Sequence, residues 1–222
     1  MSNLKEKKAI PELISAKSLM LSIGVLAFIF PILLIIASMI VGDCESIQGS
    51  ISAYYHTISR NLFVGTLCAI SFCLFAYKGY SETDNLLATV AASLALGVAF
   101  FPTPVDISGT NCITESVSNG LIGNLHFISA ALLFVLLGYF SAFLFTKSKG
   151  EMTKQKAIRN SIFKVCGYSI FAFILLIAAY ILKLKELIPS LVEIRPIFWL
   201  ETLALWAFSF SWLTKSGVIY KD

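Results

Sequence analysis

Charge is scarce in this 222-residue chain, where only 14% of the residues are Asp, Glu, Lys or Arg. A soluble domain carries roughly 25%, so there are too few charges to wet a globular surface. Histidine is scarcer still, with His56 and His126 the only two, which leaves little from which to build a multi-histidine metal centre. The five cysteines include no Cys-x-x-Cys pair, so a zinc ribbon or a thioredoxin-type redox site has no basis. No Asn-x-Ser/Thr acceptor and no sorting tail occur; with loops this compact, the expected location is a bacterial inner membrane rather than a eukaryotic organelle. The basic residues form neither a stripe nor a recognisable module, so the net charge of +4 does not call for nucleic acid as a partner.

What the chain has in excess is apolar sequence, 57% of the residues, with a mean hydropathy of +0.82. Six apolar runs, at about 19–41, 61–79, 85–101, 121–146, 161–183 and 196–214, are each long enough to cross a hydrocarbon core of roughly 30 Å at about 1.5 Å per residue. The expected fold is all-α: one polytopic membrane domain over 1–222, a bundle of six transmembrane helices. The first run is longer than the apolar part of a secretory signal and no small-residue cleavage site follows Val41, so it reads as a retained helix.

With six crossings, the N-terminus, the 79–84 and 147–160 loops and the C-terminus share one side, which holds 13 of the 17 basic residues. The positive-inside rule makes that side cytoplasmic. Cys44 and Cys112 then fall together on the outer side, where an oxidising compartment permits a disulfide. Cys68, Cys73 and Cys166 lie within apolar runs and read as packing residues. Asp84 is the N-cap candidate of the third helix, Pro102 and Pro104 end it, and Pro196 suits the first turn of the sixth. Small residues at Ala91, Ala92, Ser93, Ala95 and Gly97 would let a neighbouring helix come close to the third.

Two ionisable residues sit inside apolar runs instead of at their ends. His126 is about five residues into the fourth and Glu201 about five past Pro196, each roughly 8 Å below the outer rim. A lone carboxylate in lipid costs a few kcal/mol, so Glu201 should either face the interior with a partner, for which His126 is the natural candidate, or be protonated. Above them the first outer loop brings Ser52, Tyr54, Tyr55, His56 and Arg60, and the second brings Asp106. Three readings fit this cluster. In the first, His126 and Glu201 are a structural polar pair. In the second, the cluster binds a membrane lipid headgroup or another small polar ligand, with Arg60 facing phosphate or carboxylate, Asp106 nearby, and Tyr54 and Tyr55 at the interface. In the third, His56, His126 and Glu201 are catalytic: they hydrolyse or transfer a lipid ester or amide, through a general base or through a bound metal such as zinc. Ser52-x-x-x-His56 is similar to a motif of the CREST membrane hydrolases, but their second motif, His-x-x-x-His, would need histidine where Ala130 stands. A transporter of lipid or small solute is a fourth reading, on the repeated Arg60-Asn61 and Arg159-Asn160 at the starts of the second and fifth runs.

Ile51-Ser52 in the first outer loop, Asn61-Leu62-Phe63-Val64-Gly65 opening the second helix, His126 and Glu201 follow one another in an order that resembles the Frag/DRAM/Sfk family of six-helix membrane proteins and its bacterial relatives. Ala53 stands where members often have aspartate, and Thr202 where a tryptophan often follows the glutamate. The resemblance implies a role in membrane lipids, with no single agreed reaction.

Overall fold

The computed structural model describes residues 15–42, 44–104, 112–114, 120–147 and 152–220. Six long helices dominate: α1 (Ala16–Val41), α2 (Arg60–Ala76), α3 (Glu82–Phe100), α4 (Gly120–Tyr139), α5 (Lys154–Ala179) and α6 (Pro196–Lys215). No strand occurs among the described residues. A π-helical turn prolongs α4 through Phe140–Leu144, and another carries α5 through Tyr180–Leu184 into Lys185–Leu187. Five of these segments are long and apolar enough to cross a membrane, and α2, at 17 residues, is apolar but shorter. The prolonged α5 runs 34 residues, about 51 Å, well beyond a hydrocarbon core of roughly 30 Å.

Helix starts follow the local chemistry. Ser15 and Thr153 accept from the backbone N–H groups of Ser18 and Lys156, satisfying donors that have no partner within the helix. The cap of α3 is Ser81 and not Asp84: the Asp84 N–H donates to Ser81 Oγ. Asp84 occupies the third helical position, where its buried carboxylate accepts from Tyr80 N–H and pairs with Lys147 at 2.6 Å. Serine wins because its short hydroxyl reaches the N–H three residues on, which frees the aspartate for an ion pair with the chain leaving α4. Pro196 opens α6 as expected.

The helices close into a ring in which each packs on its neighbours, in the order α1, α2, α3, α4, α5, α6 and back to α1. Large apolar side chains fill the interior, among them Phe30, Phe63, Phe140, Phe198 and Trp212. Others face outward around the ring, including Phe28, Phe72, Ile128 and Leu175, a distribution that suits hydrocarbon rather than water. Where lipid replaces water, helix association depends on close packing and interhelical hydrogen bonds, each worth about 0.6 kcal/mol. Ser71 donates to the Ala92 carbonyl across α2 and α3, and Ser209 to the Gly24 carbonyl across α6 and α1. Ala91, Ala92 and Ala95 are buried as their size suggests, whereas Ser93 faces outward. At Gly167 a Cβ would lie 2.5 Å from the Ala142 nitrogen, so α5 meets the end of α4 at backbone contact.

One departure from even packing positions the site. The N-terminal half of α5 is wedged in by Phe163, Cys166, Gly167 and Ile170, but beyond Ile170 only Tyr180 is buried. Since α4 and α6 barely touch, the far half of the bundle is thin between those two helices. That half is covered by the loop between α1 and α2, which defines the capped end.

Candidate functional site

The cap is folded by backbone groups more than by charged pairs. Ser52–His56 form a 3-10 turn, and residues 49–51 are sewn to the first turns of α6 by two hydrogen bonds. Phe198 N–H donates to the Gly49 carbonyl at 3.2 Å, and Ile51 N–H donates to Glu201 Oε2 at 2.6 Å. The first satisfies a donor at the start of α6 that has no partner within the helix. A disulfide joins Cys44 to Cys112, with Cα atoms 5.5 Å apart, and fastens the cap to the segment between α3 and α4. Thr114 N–H donates to the His56 carbonyl beside it.

Both histidines hold the chain that leaves α3. That chain reads Phe101-Pro102-Thr103-Pro104, and a residue before proline is driven into extended backbone, as Phe101 is at φ −90°, ψ 113°. Its carbonyls therefore have no helical partner. His126 Nδ1–H donates to the Phe101 carbonyl and His56 Nε2–H to the Thr103 carbonyl, both at 2.7 Å, and both rings are 1% exposed. The expected hydrogen bond between His126 and Glu201 does not form. Each of the two meets a backbone group instead, because the cap and the proline segment bring an unsatisfied N–H and an unsatisfied carbonyl within closer reach.

His126 and Glu201 nevertheless share a cavity of about 50 Å³, with Ser52 at its capped end and Phe30, Phe63 and Leu133 among its apolar walls. A single water needs roughly 10–15 Å³, so the space holds a small group of atoms. It is only partly enclosed, and half-buried Ala130 and Phe134 of α4 and Leu205 of α6 are among its lining residues. Glu201 Oε2 is taken by Ile51; Oε1 has no hydrogen-bond partner among the described residues.

The other expected site residues lie elsewhere. Tyr54 is fully buried against Phe198, its hydroxyl accepting from Gln48 N–H, and burial pushes its phenol above the ordinary value. Tyr55 packs edge-on against Phe63 and stacks under Arg60, whose Nη2 donates to the Tyr55 hydroxyl at 2.9 Å. These rings form the interior of the cap instead of an interfacial fringe. Neither they nor His56 nor Arg60 line the cavity. Asp106 lies outside the described residues. Among the described residues no three His, Cys, Asp or Glu side chains gather into a metal-ligating group.

Sequence reasoning missed Gly49, Phe101 and Thr103, which act through backbone carbonyls. The alternation of Pro102 and Pro104 is the one signal that could have marked the last two. Comparison with protein-family models, curated proteins and solved structures finds no match to the chain.

Proposed function

We propose that the chain crosses a bilayer six times with both termini cytoplasmic, and that the cavity under its outer cap binds a membrane lipid. The carrying observation is the cavity itself. It has polar groups, Ser52, His126 and Glu201, beside walls of Phe and Leu, it is only partly enclosed, and half-buried residues of α4 and α6 are among its lining. An amphiphile entering sideways from the outer leaflet would set its head among the polar groups and leave its chains in hydrocarbon. The asymmetry of basic residues supports the orientation, and a bacterial inner membrane with the pocket facing the periplasm is the setting that suits it. The order of Ile51-Ser52, His126 and Glu201 that resembles the Frag/DRAM/Sfk family agrees with a lipid role.

Native mass spectrometry of gently solubilised protein tests this reading. Wild type should retain lipid, and Leu133→Trp, which fills the cavity, should lose it while keeping its melting temperature within a few degrees. Equal retention by both would refute the pocket.

Lipid remodelling has one observation in its favour: the Ser52 hydroxyl and the His126 ring line the same cavity, as a nucleophile and a base would. Labelling of Ser52 by a fluorophosphonate, lost in His126→Ala, would support it; an unlabelled Ser52 would count against it.

A further inference from the structure

On the reading that the cavity holds a lipid, we infer that the group it receives is a primary ammonium, as an ethanolamine headgroup carries. The polar groups lining the cavity are almost all acceptors. Among the described residues Glu201 Oε1 has no hydrogen-bond partner, and Glu201 is the only Asp, Glu, Lys or Arg that lines the space. His126 gives its Nδ1 proton to the Phe101 carbonyl, and in a neutral imidazole so held the other nitrogen is an acceptor. Ser52 Oγ shares one hydrogen bond with Ser50 and can still accept. The rings of Phe30, Phe63 and Phe134 complete the wall, and aromatic faces attract cations.

Among the described residues, no Lys or Arg that would favour an anionic head lines the wall. Arg60 is turned to Tyr55 and does not line the cavity. A phosphate or carboxylate would bring acceptors to acceptors and negative charge to Glu201 in a low dielectric. A quaternary ammonium would bring the positive charge but no N–H. A primary ammonium brings three donors and one positive charge, matching carboxylate, imidazole and hydroxyl.

The test is competition among lipids for the purified protein in mixed micelles, read by native mass spectrometry. Phosphatidylethanolamine, phosphatidylcholine and phosphatidylglycerol of identical acyl chains are offered together, and water-soluble glycerophosphoethanolamine is offered separately. Phosphatidylethanolamine should be retained about tenfold over each of the others. Glu201→Gln keeps an acceptor for Ile51 N–H and should retain lipid while losing that preference. Retention without preference, or preference for either other lipid, would overturn the ammonium assignment and leave the lipid pocket standing. Retention of no lipid at all would overturn both. Displacement by glycerophosphoethanolamine at concentrations equal to the lipid's would support the ammonium site but make its ligand a soluble amine. The wild-type competition decides the headgroup even if the variant fails to fold.

Discussion

Replacing Glu201 by alanine and by glutamine separates its role as a latch from its role as a charge. Its carboxylate accepts from Ile51 N–H at 2.6 Å, across 150 residues of sequence, and Ile51 is 5% exposed. Removing the acceptor leaves a buried N–H without a partner, which costs about 1–3 kcal/mol. Glu201→Ala should therefore destabilise the fold by about 1–3 kcal/mol. For a chain of this length, each kcal/mol corresponds to about 2–4 °C, so the melting temperature in detergent should fall by about 2–12 °C. Glu201→Gln keeps a carbonyl oxygen at the same reach and should cost less than about 1 kcal/mol. Hydrogen exchange localises the effect: amides 49–53 should lose protection in the alanine variant and keep it in the glutamine variant. Equal losses in the two variants, or unchanged exchange at Ile51 in Glu201→Ala, would refute the latch.

Other consequences follow from packing, pairing and thiol chemistry. Denatured but unreduced protein should take up three alkyl groups, at Cys68, Cys73 and Cys166, and five after reduction; five before reduction would rule out the Cys44–Cys112 bridge. Gly167→Ala forces a methyl onto the Ala142 nitrogen and the Gly138 carbonyl and should cost about 1–3 kcal/mol in thermal unfolding. Gly65→Ala, where nothing lies within 4 Å, should be neutral or slightly stabilising. Asp84→Ala and Lys147→Ala should each destabilise, and the double variant by at least about 0.5 kcal/mol less than their sum, because removing lysine alone strands a carboxylate that is 3% exposed. Strict additivity would mean that the pair contributes nothing.

The helices were legible because hydropathy reports a segment's environment directly, and their starts and stops less so. The fifth run reads from 161, yet α5 begins at Lys154, since the polar turn Lys154–Asn160 lies outside any apolar window and only Thr153 marks its start. Proline signals at 102, 104 and 196 fall where helices end or begin, because proline acts on the backbone locally and needs no tertiary context. The candidate site was legible as a list and not as a wiring. Depth along two helices put His126 and Glu201 at one level, and they do share a cavity. Their partners, Phe101 and Ile51, act through main-chain groups that every residue carries, so residue type cannot reveal them. Tyr54 and Tyr55 were misplaced for a similar reason: an amphipathic ring suits an interface or a buried site with a hydroxyl partner equally well, and only the folded cap supplies Gln48 N–H and Arg60.

A cryo-electron microscopy map of the protein in a nanodisc of native lipids tests the lipid pocket most directly. Elongated density should enter between α4 and α6 and end at Glu201 beneath the cap. A map at side-chain resolution with α4 and α6 closed against each other, and no density beyond water-sized peaks beside Glu201, would contradict it.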